Sequence, residues 1–390
     1  MWGTMKTLIS TLAFALAAVP LASCNAAPAQ PSGGKAAAQA GFSIKDYGAF
    51  AEPWALAFAP GTAMLFVTER GGTLKFVDTA SGTLGTVTGL PKVDYGGQGG
   101  LGDIAFLPTE SSATLGKRTI YLTWIEAGEG GTRGAVAGRG MLVCDKPAAC
   151  RIDGLSVIWR QDPKVEGRGH FSHRLLFTPN GKTLYLSSGE RQKFTPAQDL
   201  SVNLGKVLRL DPDGTPKPGN PFAAKGGVSA QIWSYGHRNV LGLGFDAQGR
   251  LWGMEHGPKG GDELNIIEPG KNYGWPLVSN GDNYDNTPIP RHATRPDLTP
   301  PAISWNPVLA PGDFIFYSGK AFSAWRGQAL IAGMVYPGLV RVAIDGNSAR
   351  EIERIDLGHR IREIEQGPDG AVWIAEDGKG GRLRKLVPKG

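Results

Sequence analysis

The chain has 390 residues, a formal net charge of +6, 57 Gly, 28 Pro and 19% charged residues. That length can bury a large core, and the composition is that of a turn-rich globular chain rather than a disordered one. The basic excess is dispersed, with no dense Lys/Arg run carrying interleaved aromatics; this argues against nucleic acid and suits an anionic ligand instead.

The first element in the chain is a targeting segment. Lys6 gives a short positive region, Leu8 to Leu21 is apolar with small residues, and Leu21-Ala22-Ser23-Cys24 follows. The apolar run is too short to span a membrane, and its end resembles a bacterial lipobox, in which Cys24 becomes the lipidated first residue. An ordinary cleaved signal is the alternative. Acylation of Cys24 would hold the protein at a membrane through the lipid alone. Asn25 follows the cysteine, so the expectation is export to the periplasmic side of a bacterial membrane, with the outer membrane favoured. Residues 25–40 are small and polar, as in a flexible tether, and 41–390 form the folded domain.

Within that domain a β signature recurs: a short apolar strand, a turn with Pro, Gly, Asp or Asn, and a second strand. It reads LAFAPGTAMLFVTE from Leu56, then DIAFLP from Asp103 with TIYLTW after an insertion. It continues as LLFTPNGKTLYLSSGE from Leu175, LGFDAQGRLWGMEHG from Leu243, FIFYSG from Phe314 with QALIAGMVY downstream, and IEQGPDGAVWIAED from Ile364. Copies roughly 60 residues apart in an all-β chain predict a six-bladed β-propeller. A pair of β-sandwiches is the alternative. Between the second and third copies, Cys144 and Cys150 are separated by DKPAA. In an exported protein this spacing suits a disulfide pinning a hairpin. A metal or redox pair is the other reading, although no His or second Cys pair lies nearby.

Polar residues stand at one phase, just ahead of the apolar strands: Gln98, His170, Arg238 with Asn239, and Arg360 with Arg362. In a propeller that phase brings them to one end of the channel. Arginine forks match carboxylates, so the set implies a polycarboxylate ligand; strand capping or ion pairing between blades is the bland alternative. His170 lies among glycines and can accept a proton near neutral pH. His173 and His237 read as supporting residues, and His256 as a hydrogen-bonding one. The run EHGPKGGDELNIIEPGKNYGW, Glu255 to Trp275, is rich in glycine and acids. Such backbone frees carbonyl oxygens, and with carboxylates these suit a hard cation such as Ca²⁺. The segment 279–301 lacks periodicity; it either sets specificity at the mouth or is a solvated excursion. No nucleophile elbow, HExxH motif, P-loop or dinucleotide fingerprint occurs.

Taken together, Trp54 with LAFAPG, GGQGGLGDIAFLP, GHFSHRL, LGKVLRLDPDGTPKPGNPF, IWSYGHRN, EHGPKGGDELN, GKNYGWP and RIREIEQGPDG resemble the soluble quinoprotein glucose/sorbosone dehydrogenases. The resemblance runs from about residue 50 to 387 and is nearest to the bacterial aldose sugar dehydrogenase branch. It implies a six-bladed propeller that binds pyrroloquinoline quinone (PQQ) and Ca²⁺ and oxidises sugars at the anomeric carbon to lactones, passing electrons to a separate acceptor. It further implies His170 as general base and Arg238 as stabiliser of charge on the quinone oxygen. Gln98, Asn239, Arg238, Arg360 and Arg362 become cofactor contacts, the carbonyls of Gly257 and Pro258 the seat of the quinone's Ca²⁺, and Glu263 and Tyr273 a second, structural Ca²⁺ site. One departure stands out: where the family has a cofactor-contacting Lys, this chain has Met334 or Val335, and LAPGDF near Pro311 also differs. Two other classes fit parts of the pattern: a metal-dependent lactonase, and a non-catalytic envelope propeller that has lost or weakened PQQ binding.

Overall fold

The structure, a computed structural model, describes residues 41–389. The targeting segment, Cys24 and the tether lie outside the described residues. Among the described residues every regular element is a β-strand or a short 3₁₀ turn, as expected for strands rich in Val, Ile, Leu and aromatics broken by Gly and Pro. The hairpins read from the sequence are all present. Pro53–Phe58 pairs with Met64–Glu69, Leu101–Phe106 with Lys117–Ala127, and Ser172–Phe177 with Leu184–Ser188. Val240–Phe245 pairs with Leu251–Glu255, Pro311–Phe316 with Ala329–Gly333, and Ile361–Gln366 with Val372–Glu376.

These hairpins belong to four four-stranded sheets and one eight-stranded sheet. The larger sheet is two antiparallel runs joined by a parallel pairing of Leu84–Thr88 with Ala149–Arg160. The first strands of the hairpins pack against one another in a closed cycle, the last against the first. Facing sandwich sheets cannot make such a cycle; this is the radial packing of a β-propeller. Large apolar side chains fill the space between neighbouring sheets. Trp252, Leu264, Phe314, Ile331 and Val340 form one such buried cluster, each worth roughly 1.5–3 kcal/mol when removed from water. The disulfide expected between Cys144 and Cys150 is present and pins the hairpin of Arg133–Lys146 and Ala149–Arg160.

The sequence pattern did not reveal how the ring closes. Phe42–Ala51 pairs antiparallel with Lys379–Pro388, from Phe42 opposite Pro388 to Ala51 opposite Lys379. The first described strand thus completes the last sheet, removing two free edges at once. Phe42 anchors it with edge contacts to Phe322 and Trp325 at 6.2 and 6.0 Å.

Charge sits at the axis, on the innermost strands. The buried Arg174 donates to Glu363 at 2.6 Å, to Asp103 at 3.4 Å and to the carbonyls of Leu241 and Gly312. Its guanidinium lies 4.1 Å over the Trp54 ring. Asp313 and Glu365 share this space, so acids outnumber bases. Burial pushes the Asp313 carboxyl up to about 6 and that of Glu365 up to about 8, and it raises Glu363 well above the usual range. For groups raised in this way, the stability they contribute is full below the ordinary carboxyl range. It is lost as pH rises through about 6 and about 8. Arg174→Met therefore costs about 3–5 kcal/mol, with a larger loss at pH 8 than at pH 5, where the acids can take up protons; chemical denaturation at the two pH values measures this.

Candidate functional site

Gln98, His170, Arg238 and Asn239 come off the loops that precede innermost strands. Arg360 immediately precedes its strand, and Arg362 lies inside it. Gln98 accepts the His170 backbone N–H at 2.7 Å. The His170 ring is buried, and its Nδ1 bonds Oε1 of Glu190. The carboxylate partner places the proton on Nδ1 and leaves the Nε2 lone pair free. Burial, helped by the charge of Arg238 and only partly offset by Glu190, lowers the His170 pKa to about 4. The imidazole is therefore neutral at physiological pH. Burial alone would raise the Glu190 carboxyl, but the hydrogen bond from His170, with the Phe194 N–H and the charge of Arg238, holds it below its usual range. Its Oε2 also accepts the backbone N–H groups of Lys193 and Phe194, each at 2.6 Å.

Asn239 is turned inward: its Oδ1 accepts the Ser172 N–H and hydroxyl at 3.2 and 3.0 Å, bracing the strand after His170. Arg238 donates to the His256 carbonyl and to the Tyr284 hydroxyl, both at 3.2 Å. Its Nε is buried without a partner. Its guanidinium lies 5.2 Å from the Trp275 ring, which itself stacks on Phe194 at 5.6 Å. Tyr284 belongs to the segment 279–301 and is 72% exposed, so at least this residue of the aperiodic segment reaches the site. Nε2 of His256 bonds the Pro311 carbonyl at 2.7 Å, the hydrogen-bonding role expected of it.

Arg360 and Arg362 are less free than the sequence pattern implied. Both bond the same carboxylate, Asp377, at 2.7–2.9 Å. Burial opposes this charge, but the two guanidinium groups hold the Asp377 carboxyl down at about 2. Two cations and one anion leave one net positive charge here. Arg360 also donates to the Met334 carbonyl at 3.0 Å. Met334 is buried, whereas Val335 is 56% exposed on the same turn, so Val335 is the better candidate for the missing Lys position.

Beside Arg238 lies a small cavity of about 10 Å³, with room for roughly one water-sized particle. Gly257, Pro258, Glu263 and Tyr273, expected at two cation sites, all line it. Glu263 stands opposite Glu255 on paired strands, and Asn265 donates to both at 3.2 and 3.3 Å. His237 at 2.9 Å and the Arg238 N–H at 2.8 Å balance Glu255. Glu263 is held more loosely: beyond Asn265 its neighbour is His292, whose Nδ1 stands 3.8 Å away, too far for a hydrogen bond, and burial, and then the charge of Glu255, push its carboxyl well above the usual range. Asp262 shapes the loop, accepting the N–H groups of Gly257, Leu309 and Ala310. Residue 257 must be glycine, because a Cβ would stand 2.2 Å from the Gly260 carbonyl oxygen. The Tyr273 hydroxyl is spent on the Ile266 carbonyl and the Glu268 N–H, and its backbone carbonyl meets His292 Nε2 at 3.2 Å, which leaves that oxygen one lone pair for a cation.

The residues present fit both implied groups. An under-balanced buried carboxylate among backbone carbonyls fits a hard cation. Among the described residues no group of three His, Cys, Asp or Glu side chains is arranged to hold a metal. The unpartnered Nε of Arg238, with exposed Arg360 and Gln98 at the same mouth, fits a flat polycarboxylate.

The chain matches the glucose/sorbosone dehydrogenase family over residues 50–385. It belongs to that family. It is 35% identical over 342 residues to the aldose sugar dehydrogenase YliI of Escherichia coli K12, covering 86% of this chain and 90% of the relative. The apo crystal structure of the soluble E. coli aldose sugar dehydrogenase superposes with a TM-score of 0.81 at 33% identity, covering 89% of this chain and all of that one. A PQQ-bound aldose sugar dehydrogenase from Streptomyces coelicolor gives 0.69 at 26% identity, covering 89% and 98%.

The sequence reading missed Glu190, Asp377 and Tyr284. A signal for the first existed. Glu69, Glu255 and Glu376 each close the second strand of a hairpin, and Glu190 follows the third hairpin two residues after its strand ends. Of these acids, Glu190 and Glu255 meet residues already singled out, His170 and the backbone of Arg238. For the cation cavity, Ca²⁺ at a hundredfold over its Kd should stabilise the protein by about 2.7 kcal/mol. A chelator should reverse the shift in Tm, and Glu263→Gln should abolish most of it.

Proposed function

We propose that this protein is a PQQ- and Ca²⁺-dependent oxidoreductase that converts aldose sugars to lactones at the anomeric carbon. The observation that carries this is the neutral, buried His170 with Nε2 open, set by Glu190 beside Arg238, whose Nε has no partner. When bound, the quinone supplies a hydride acceptor and Ca²⁺ polarises it. Gln98, Arg238, Asn239, Arg360 and Arg362 would hold the quinone, the carbonyls of Gly257 and Pro258 its Ca²⁺, and Glu263 with Tyr273 a structural Ca²⁺. Nε2 of His170 takes the proton of the anomeric hydroxyl, and Glu190 meets the positive charge that builds on the ring. Arg238 presents its donors where negative charge develops, in a site partly shielded from water by Trp275 and Phe194.

The same reading takes the eight-stranded sheet as two blades, which gives a six-bladed propeller. It also takes the chain as an exported lipoprotein anchored through Cys24, handing electrons to an acceptor of unspecified identity. The disulfide supports export, because such bonds persist in oxidising compartments. Cys24→Ser should release the protein from the membrane fraction; equal retention of the variant would contradict the anchor.

Reconstituting the protein with PQQ and Ca²⁺ and assaying aldoses with an artificial electron acceptor tests the central reading. Turnover is expected, with a cofactor-induced rise in Tm, and absence of both would contradict it. His170→Ala should abolish turnover and keep cofactor binding. Val335→Lys should tighten PQQ about tenfold to a hundredfold, the worth of one charge-assisted contact. Val335 and the neutralising Asp377 favour one other reading, a propeller that binds sugar without the cofactor; calorimetric sugar binding with no PQQ uptake would select it.

A further inference from the structure

Backbone strain gathers around His170. Among the described residues ten non-glycines have positive φ, and six of these fall in two segments that meet there: His170, Ser172 and His173, then Arg191, Gln192 and Phe194. Each costs of order 1–3 kcal/mol and persists only where surrounding contacts enforce it. Glu190 holds the second segment through Lys193 and Phe194, Asn239 holds Ser172, and Thr123 bonds Nδ1 of His173 at 2.8 Å. The backbone leading into His170 has different restraints.

Gln98 holds this backbone at the Arg168 carbonyl and the His170 N–H, at 2.8 and 2.7 Å, and on the other side stands Arg191, which is 0% exposed. Its Nε donates to the Gly169 carbonyl at 2.9 Å, its Nη2 to Gly167 at 2.6 Å and its Nη1 to Arg133 at 2.7 Å. The guanidinium lies 3.8 Å over the Phe171 ring, and the Arg191 N–H bonds the His170 carbonyl at 3.2 Å. No carboxylate pairs with it among the described residues. A buried charge with only neutral partners is costly, so mere space-filling is a poor account of it. The planar fork instead gathers carbonyls from two segments at fixed spacing, as a bound cation would, but without the exchange of an ion.

We propose that Arg191 is a positioning residue: it clamps the backbone of residues 167–169 so that His170 enters the site in its left-handed conformation with Nε2 open. This rests on the reading of His170 as the base. The test compares wild type with Arg191→Lys, Arg191→Ala and, as a milder change, Phe171→Leu, which weakens the stacking surface and keeps the arginine. Hydrogen exchange of the apo protein should rise in residues 167–173 and stay unchanged in the remote strand Gly338–Asp345. In the PQQ- and Ca²⁺-loaded enzyme, kcat should fall about tenfold to a hundredfold while KM and cofactor affinity hold, and guanidinium ion should partly restore kcat in Arg191→Ala. Unchanged exchange at 167–173, or loss of protection across the whole fold in Phe171→Leu as well, would overturn the proposal. Failure of the base reading shows separately, as turnover retained in His170→Ala.

Discussion

Glu190 accepts the Nδ1 proton of His170 in a site that excludes most water, and the chemistry available at the channel mouth depends on this contact. It fixes the tautomer, so the free nitrogen is Nε2. Burial and the nearby Arg238 keep the ring neutral, its pKa near 4, where an exposed imidazole would already be half protonated near pH 6.5. A base held neutral in this way is ready at every pH the protein is expected to meet. The positive charge it acquires is compensated by a carboxylate that is already ionised and already hydrogen-bonded.

The rest of the site manages buried charge by the same logic of partial compensation. Asp377 removes one of the two positive charges of Arg360 and Arg362, leaving enough to attract an anion without self-repulsion between adjacent guanidinium groups. Glu255 is bonded by His237 and a backbone N–H, whereas Glu263 opposite it has His292 Nδ1 only at 3.8 Å, which leaves room for a divalent ion to supply positive charge. Arg238 keeps one buried donor unused. These imbalances sit inside a closed ring of packed sheets. The ring is closed by the pairing of Phe42–Ala51 with Lys379–Pro388, and its sheets are locked together by apolar clusters.

Local grammar made the hairpins legible in the sequence. Each one carries its own strand, turn and strand, and the residues ahead of each first strand share a phase that a radial fold converts into proximity. Residues that act across hairpins were not legible. Tyr284 reaches Arg238 from a segment without periodicity, and Asp377, although at the end of the same hairpin as Arg360 and Arg362, bonds both through side-chain geometry that the repeat does not encode. Arg191 looks like an ordinary surface arginine in SSGERQKF until its carbonyl partners are seen. The closing strand Phe42–Ala51 pairs with residues more than three hundred positions away, and no local pattern encodes that. Glu190 is an intermediate case: its kind recurs at the ends of second strands, but its partner is set only by the fold.

The most direct measurement is the titration of His170 in the intact protein, by proton or nitrogen NMR of the imidazole with His170→Gln to assign the signal. The account predicts a ring that stays neutral, with Nδ1 protonated, down to about pH 4. A midpoint near 6.5, or protonation at Nε2, would contradict it.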